Sequence, residues 1–217
     1  MPNVMQKIKA VAEWRLTSAT ASVREYSSKP TLFTQDRQPK SNYLALPRVS
    51  SERRQFIPID FLTTQTIAHE KLLIIENATL FHFGMLCSTL HNAWMRTVAG
   101  RLKSDFSYSP AVYNNFPWPQ VSASQTAKIE IGAQAVLDAR AVHANASLAD
   151  LYDPLTMPAN LLKAHNVLDK AVDAAYGYKG AATDSARVAF LFERYQQLTS
   201  LLPALEKSKK AVKKNKK

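Results

Sequence analysis

The hydrophobic pattern of this chain changes period as it runs, and those changes limit the folds open to it more than any other feature. Val4, Ile8, Val11, Ala12 and Leu16 recur at helical spacing, which predicts an amphipathic helix over residues 3–22. From about 23 to 78 the texture is that of short strands: Tyr43-Leu44-Ala45-Leu46 before Pro47, Gln55-Phe56-Ile57 before Pro58, and Leu72-Leu73-Ile74-Ile75. Proline has no amide to give a sheet, so it belongs at a strand end or on an edge strand. A long helix is then expected over 80–99, with Phe83, Cys87, Leu90, Trp94 and Val98 on one buried stripe and Gly100 as its stop. A charged, hydroxyl-rich loop follows from Arg101 to Ser109, closed by Phe116-Pro117-Trp118-Pro119, so that a few polar side chains are held out from a fixed frame.

Beyond about residue 120 the pattern is helical. Ser122-Ala123-Ser124-Gln125 is a capping box opening a helix with Ile129, Ala133, Val136 and Leu137 inward. Pro158 opens a second, with Leu161, Leu162, Leu168 and Val172 inward, which ends at Gly177. A third begins near Thr183 or Asp184, carries Val188, Leu191, Phe192, Tyr195 and Leu198, and stops near Pro203. The expected fold class is α+β: a mixed α/β domain over 1–120, a small all-α bundle over 121–205, and a disordered basic tail over 206–217.

At 217 residues and 46% hydrophobic, the chain is long enough for one large domain or two small ones. Cys87 is the single cysteine, which excludes an intramolecular disulfide and a multi-cysteine zinc site. No N-terminal apolar run of signal-peptide type and no stretch of membrane-spanning length is present, so the expected location is cytoplasmic, without membrane partners. The net charge of +11 is concentrated up to residue 120 and again after 203, with a near-neutral stretch between. Basic charge on a folded segment is the footprint of a phosphate-binding surface or simply a basic surface, and charge alone does not separate the two.

Catalytic machinery is missing. The five glycines lie too far apart for a phosphate-cradling or cofactor-binding loop. Tyr113-Asn114-Asn115-Phe116-Pro117 only superficially resembles the Asn/Asp-Pro-Pro-aromatic tetrapeptide of amino-methylating DNA methyltransferases, and no lysine has the acidic residue two positions earlier that a PD-(D/E)xK nuclease needs. Cys87 fits the buried helix stripe better than a nucleophile, and His82 and His91 fit hydrogen-bonded helix residues better than metal ligands, with no Cys or acidic partner at ligand spacing from them. The chain itself is therefore expected to be noncatalytic. Two function classes stay open: a DNA-reading module, and a protein-interaction or structural helical module with a nonspecific basic tail.

Several blocks, in order along most of the chain, resemble the C-terminal part of MmeI-like (type IIL) restriction-modification enzymes. They are Arg37-Gln38-Pro39-Lys40 with Tyr43-Leu44, Pro47-Arg48-Val49-Ser50-Ser51-Glu52-Arg53-Arg54 with Ile57-Pro58, Phe83-Gly84-Met85-Leu86 with His91-Asn92-Ala93-Trp94-Met95-Arg96, and the loop after Gly100. Leu151-Tyr152-Asp153-Pro154-Leu155-Thr156-Met157-Pro158 and Leu168-Asp169-Lys170-Ala171-Val172-Asp173-Ala174-Ala175-Tyr176-Gly177 complete them. The resemblance implies a target recognition domain over 1–120 and a C-terminal helical domain after it. It also implies a parent polypeptide whose methyltransferase and nuclease modules use S-adenosylmethionine and magnesium, whereas this chain needs no cofactor.

The same resemblance implies that Lys103 and Asp105 read one base pair, with Lys71 and Ser107 as a second pair. Lysine donates to guanine O6 and N7 and aspartate accepts from cytosine N4, so a guanine is expected at one position. On the residues alone, Lys103 and Asp105 would be an ordinary exposed ion pair. Ser107 departs from the arginine expected in the family's loop, and Lys71 is placed to supply the lost donor. Arg48, Arg53, Arg54, Arg96 and Arg101 are the candidates for phosphate contacts on double-stranded DNA, and Trp118 between its prolines is expected to be a packing anchor.

Overall fold

Tyr43, Leu44, Ala45 and Leu46 are all buried because the strand they form is covered on both faces. It is the centre of an antiparallel sheet in a computed structural model that describes residues 1–35 and 37–200. The expected basic tail lies outside the described residues. Two compact units divide the chain, Met1–Lys40 and Ser41 onward.

The first unit holds α1 (Pro2–Leu16) and α2 (Ala21–Arg24). The helix expected to reach residue 22 stops six residues early: Thr17 Oγ1 donates back to Trp14 O at 2.9 Å, and Ser18 Oγ accepts from Thr20 N at 3.3 Å. Short hydroxyl side chains compete for backbone groups in this way and end helices. Arg15 then ties the following turns together, donating to the carbonyls of Tyr26, Lys29 and Leu32 at 2.8–3.0 Å. The apolar stripe of α1 is not buried, with Val4 50% and Leu16 62% exposed.

In the second unit, β1 (Tyr43–Pro47), β2 (Val49–Ser50), β3 (Asp60–Leu62) and β4 (Leu72–Glu76) come first. The first sheet has the order β3-β1-β4, all antiparallel. The strand expected at Gln55-Phe56-Ile57 is irregular chain, because the Ile57 amide is taken by Asn92 Oδ1 at 3.0 Å and Pro58 has none to offer. The strand forms instead three residues later, as β3.

The helix expected over 80–99 is two helices, α3 (Leu80–Cys87) and α4 (Thr89–Val98). Ser88 breaks it with an extended backbone (φ −71°, ψ 154°), donating to Met85 O at 2.7 Å and accepting from His91 N at 3.2 Å. Thr89 N also donates to Asp169 at 2.7 Å, so a carboxylate from another helix sits on the positive end of α4. Burial raises the Asp169 pKa above the usual carboxylate range, against the Thr89 bonds that favour its charge. Gly100 is no helix stop: it begins β5 (Gly100–Leu102), which pairs with β6 (Asp105–Ser107) before α5 (Pro110–Asn114).

Helices α6 (Ala123–Ala141), α7 (Leu148–Leu151), α8 (Ala159–Tyr176) and α9 (Asp184–Thr199) complete the chain as described. The capping box forms, with Ser122 N donating to Gln125 Oε1 at 2.9 Å, and Gly177 ends α8 at a left-handed φ of 66°. Leu162, expected inward, is exposed, as are Phe192 and Leu198 of α9, while Ile129, Val136, Leu161, Leu168, Val172 and Leu191 are buried. These helices do not close a core of their own. They join one buried cluster with Leu44, Ile57, Phe83 and Leu90, and the approach is close: a Cβ on Gly84 of α3 would lie 2.8 Å from Ile129 Cγ2, and one on Gly132 would lie 3.1 Å from Leu168 Cα. The fold is α+β, as its pattern of periods predicts.

Candidate nucleic-acid interface

The polar stretch after α4 is a hairpin, where a loop was expected. β5 and β6 pair antiparallel with Leu102 opposite Asp105, which leaves Lys103 and Ser104 as a two-residue turn. Lys103 takes a left-handed φ of 57°, the sign that tight hairpin turns require at their first central position. A side chain with a Cβ costs roughly 1–2 kcal/mol there, so the paired strands, not the residue's own preference, hold the turn.

β6 is the middle strand of the second sheet, ordered β2-β6-β5. Its Phe106 is 4% exposed and faces the core, so Asp105 and Ser107, one residue either side, share the opposite face. Ser107 lies opposite Val49 on one side and Gly100 on the other, and Gly100 leaves that flank bare. Backbone bonds then bring the second candidate pair to the same place. Arg48 N donates to Lys71 O at 2.8 Å and Tyr108 N donates to Arg48 O at 2.7 Å, so Arg48 bridges the residue before β4 and the residue after β6. Lys71 and Ser107 are thereby neighbours of one bridging residue.

The side chains of Lys71, Arg48 and Lys103 are exposed and have no ion-pair or hydrogen-bond partner among the described residues. Lys103 and Asp105 do not pair with each other: Asp105 Oδ1 accepts from the Glu52 amide at 3.3 Å. Arg101 is engaged inside the hairpin. Its Nη1 donates to Ser104 O at 2.6 Å and lies 3.6 Å from Glu52 Oε2, and its guanidinium sits 3.9 Å over the Phe106 ring. Arg53 is 3.6 Å from Asp153 with most of its side chain in solvent, and Arg54 is half-buried in the turn where its amide donates to Ser51 O at 3.1 Å. Arg96 stands apart from these: its side chain is 19% exposed and donates to Asp184 Oδ2 at 2.8 Å and to Gln55 O at 3.0 Å.

Behind this face the groups are neutral and satisfied. His91 is fully buried between Leu86 O and Tyr108 Oη, each at 2.9 Å, and burial pushes its pKa down to about 4. Cys87 is buried, with its thiol pushed up to about 12 by desolvation. The Trp118 ring lies among Phe81, His82, Tyr113 and Phe116 at centroid distances of 5.3–6.3 Å, which makes it an anchor under the hairpin's exit. Glu52 escaped the sequence reading, which valued its block for arginines; its contacts exist only once β2 pairs with β6.

The model of the MmeI target recognition domain matches residues 1–120, and that of the MmeI C-terminal domain matches residues 121–203. The chain belongs to the MmeI family. A solved structure of the type IIL restriction-modification enzyme MmeI in complex with DNA is 51% identical with a TM-score of 0.83, over 91% of this chain and 27% of that one. DNA methyltransferase A of Bacillus subtilis (strain 168) is 33% identical over 199 residues, 91% of this chain and 22% of the relative. The chain thus spans about a quarter of the length of these relatives. No helix among the described residues is long and apolar enough to cross a membrane.

Proposed function

We propose that this chain is the sequence-reading module for double-stranded DNA of a restriction-modification polypeptide that also carries an adenine-specific methyltransferase and a nuclease. The observation that carries this reading is the hairpin tip. Lys103 is exposed and has no partner among the described residues, and Asp105 is aimed by a backbone amide rather than neutralised by its neighbour. As an exposed ion pair the two would add about 0–1 kcal/mol to stability. Used on a base pair, they discriminate by about 1–3 kcal/mol, which is the larger return for holding a lysine at positive φ.

Lys103 donates to guanine O6 and N7 in the major groove, and Asp105 accepts from N4 of the paired cytosine. Lys71 and Ser107 read a second position. Arg48, Arg54, Arg53 and Arg101 supply phosphate contacts, Arg53 by leaving a surface ion pair of little strength and Arg101 with guanidinium nitrogens other than the Nη1 that holds Ser104 O and Glu52. Arg96 is reserved for the Asp184 and Gln55 contacts and is left out of the phosphate set. S-adenosylmethionine and magnesium belong to the other modules of the parent. The glycines here are scattered, and no group of three His, Cys, Asp or Glu side chains among the described residues is disposed to hold a metal.

Exchanging Lys103→Glu and Asp105→Arg together in the parent enzyme should change the base pair required at one position of its methylated site, as read by sequencing methylated DNA. An unchanged site defeats the assignment. For the chain alone, affinity for duplex should fall with salt at a log–log slope of roughly −3 to −4, the value for that number of phosphate contacts. A flat salt response would favour a protein-interaction module instead.

A further inference from the structure

Asp105 is aimed by something outside the hairpin. Its carboxylate accepts from the backbone amide of Glu52, 3.3 Å away, and Glu52 belongs to a separate turn that follows β2. That turn is well defined: Arg54 N donates to Ser51 O at 3.1 Å, and Arg53 N to Ser51 Oγ at 3.4 Å, which makes Glu52 the first central residue of a four-residue turn. The register of β2 on β6, with Ser50 opposite Phe106, delivers the turn to the side of Asp105. Arg101 closes the arrangement by bridging the Ser104 carbonyl and the Glu52 carboxylate. The Arg101–Glu52 pair is 50% exposed on both sides, so little of the ordering comes from it. The amide is the better-fixed element, because a backbone donor held in a turn does not rotate away as a long side chain does.

We propose that Glu52 is a positioning residue for base selection: its backbone amide orients the Asp105 carboxylate toward the cytosine edge, so that preference at one base pair depends on the 51–54 turn, which need not touch that base. This rests on the reading of Lys103 and Asp105 as base-contacting residues. It makes the specificity unit three-part, with residues 103 and 105 on the hairpin and the amide of residue 52 across from it. An arginine at position 105 would offer no acceptor to that amide and would meet the Glu52 carboxylate instead, so an exchange at 103 and 105 changes the aim of residue 105 as well as its chemistry.

Proline is favoured at the first central position of such turns, so Glu52→Pro removes the amide while suiting the backbone. Glu52→Gln keeps the amide and removes the charge. The 217-residue chain and each variant would select from duplexes with a randomised central segment, followed by sequencing of the bound pool, with thermal melting as a check of folding. Glu52→Pro should lower the guanine preference at one position about tenfold while leaving the other positions within about twofold, and Glu52→Gln should keep it within about threefold. A glycine inserted between Ser51 and Glu52 displaces the amide without proline, and should reproduce the loss. A folded Glu52→Pro with the original preference, or a fall shared equally by all positions, overturns the proposal. Loss of cooperative melting in both the proline and insertion variants also overturns it, by making the turn a folding element. A parent chain that shows no base preference at any position refutes the DNA-reading function itself, a result distinct from all of these.

Discussion

Lys103 holds a backbone conformation that glycine adopts without penalty. Lys103→Gly relieves about 1–2 kcal/mol of steric cost but adds about 0.5–1 kcal/mol of unfolded-state entropy, for a net stabilisation of about 0–1.5 kcal/mol. The variant should therefore melt at the same temperature or slightly higher while losing preference at one base pair, and a clear drop in melting temperature would mean that the lysine side chain supports the fold. His91 and His165 govern a different property. Burial pushes the first down to about 4 and the second, with Arg140 adding to the effect, to about 3. Both stay neutral in the folded protein and take up protons on unfolding below pH 6.5, so their contribution is complete above that pH and is lost as pH falls toward 4. With two extra protons bound by the unfolded chain, stability should decline by about 2.7 kcal/mol per unit in the lower part of that window. Denaturant titrations at pH 7 and pH 5 measure this, and equal midpoints would contradict it.

At the scale of elements, Gly84 inside α3 and Gly100 just after α4 make opposite demands. A methyl on Gly84 meets Ile129 at 2.8 Å, whereas one on Gly100 finds only ordinary contact, 3.8 Å from Ser107 Cβ. Gly84→Ala should cost about 1–3 kcal/mol in thermal or denaturant unfolding, as overpacking does, and Gly100→Ala should cost little. The sequence pointed to Gly100 as the structural glycine because it follows an apolar stripe; the helix bearing Ile129 was legible, but nothing local showed that it would press on Gly84. The same limit explains the other differences. The helices after 120 were legible because their caps are local: Ser122 with Gln125, Gly177, Thr183. The break at Ser88 was not, since it is fixed partly by Asp169 eighty residues away. The β5-β6 hairpin was hidden too: its strands have three residues each, and Lys-Ser is not a turn pair that announces itself. The candidate readout residues were legible through family resemblance alone; nothing in the periodicity marked Lys103 or Asp105, or joined Lys71 to Ser107.

For the molecule from Ser41 onward, the change of texture near residue 120 separates compositions and not cores. Arg140 of α6 donates to Ile59 O at 2.7 Å and to the Tyr152 hydroxyl at 2.8 Å, and that hydroxyl bonds His165 at 2.8 Å. This buried network fastens the strand side to the helices, and Tyr176 Oη adds a bond to Pro117 O at 3.1 Å. A chain ending at Gln120 would lose Ile129, Val136, Leu161, Leu168, Val172 and Leu191 from the cluster. At about 1.5–3 kcal/mol each, that is about 9–18 kcal/mol, as large as the 5–15 kcal/mol by which domains are stable. Such a truncation should show no cooperative melting, and a sharp transition in it would refute the single core.

The hairpin tip is built the other way. Lys103 borders water, and its environment is set by strands whose own contacts lie elsewhere. Exchange of side chains there leaves the interior undisturbed, so if the tip reads DNA as proposed, a lineage can drift from one preferred site to another by small steps, each of which still yields a folded protein for selection to test.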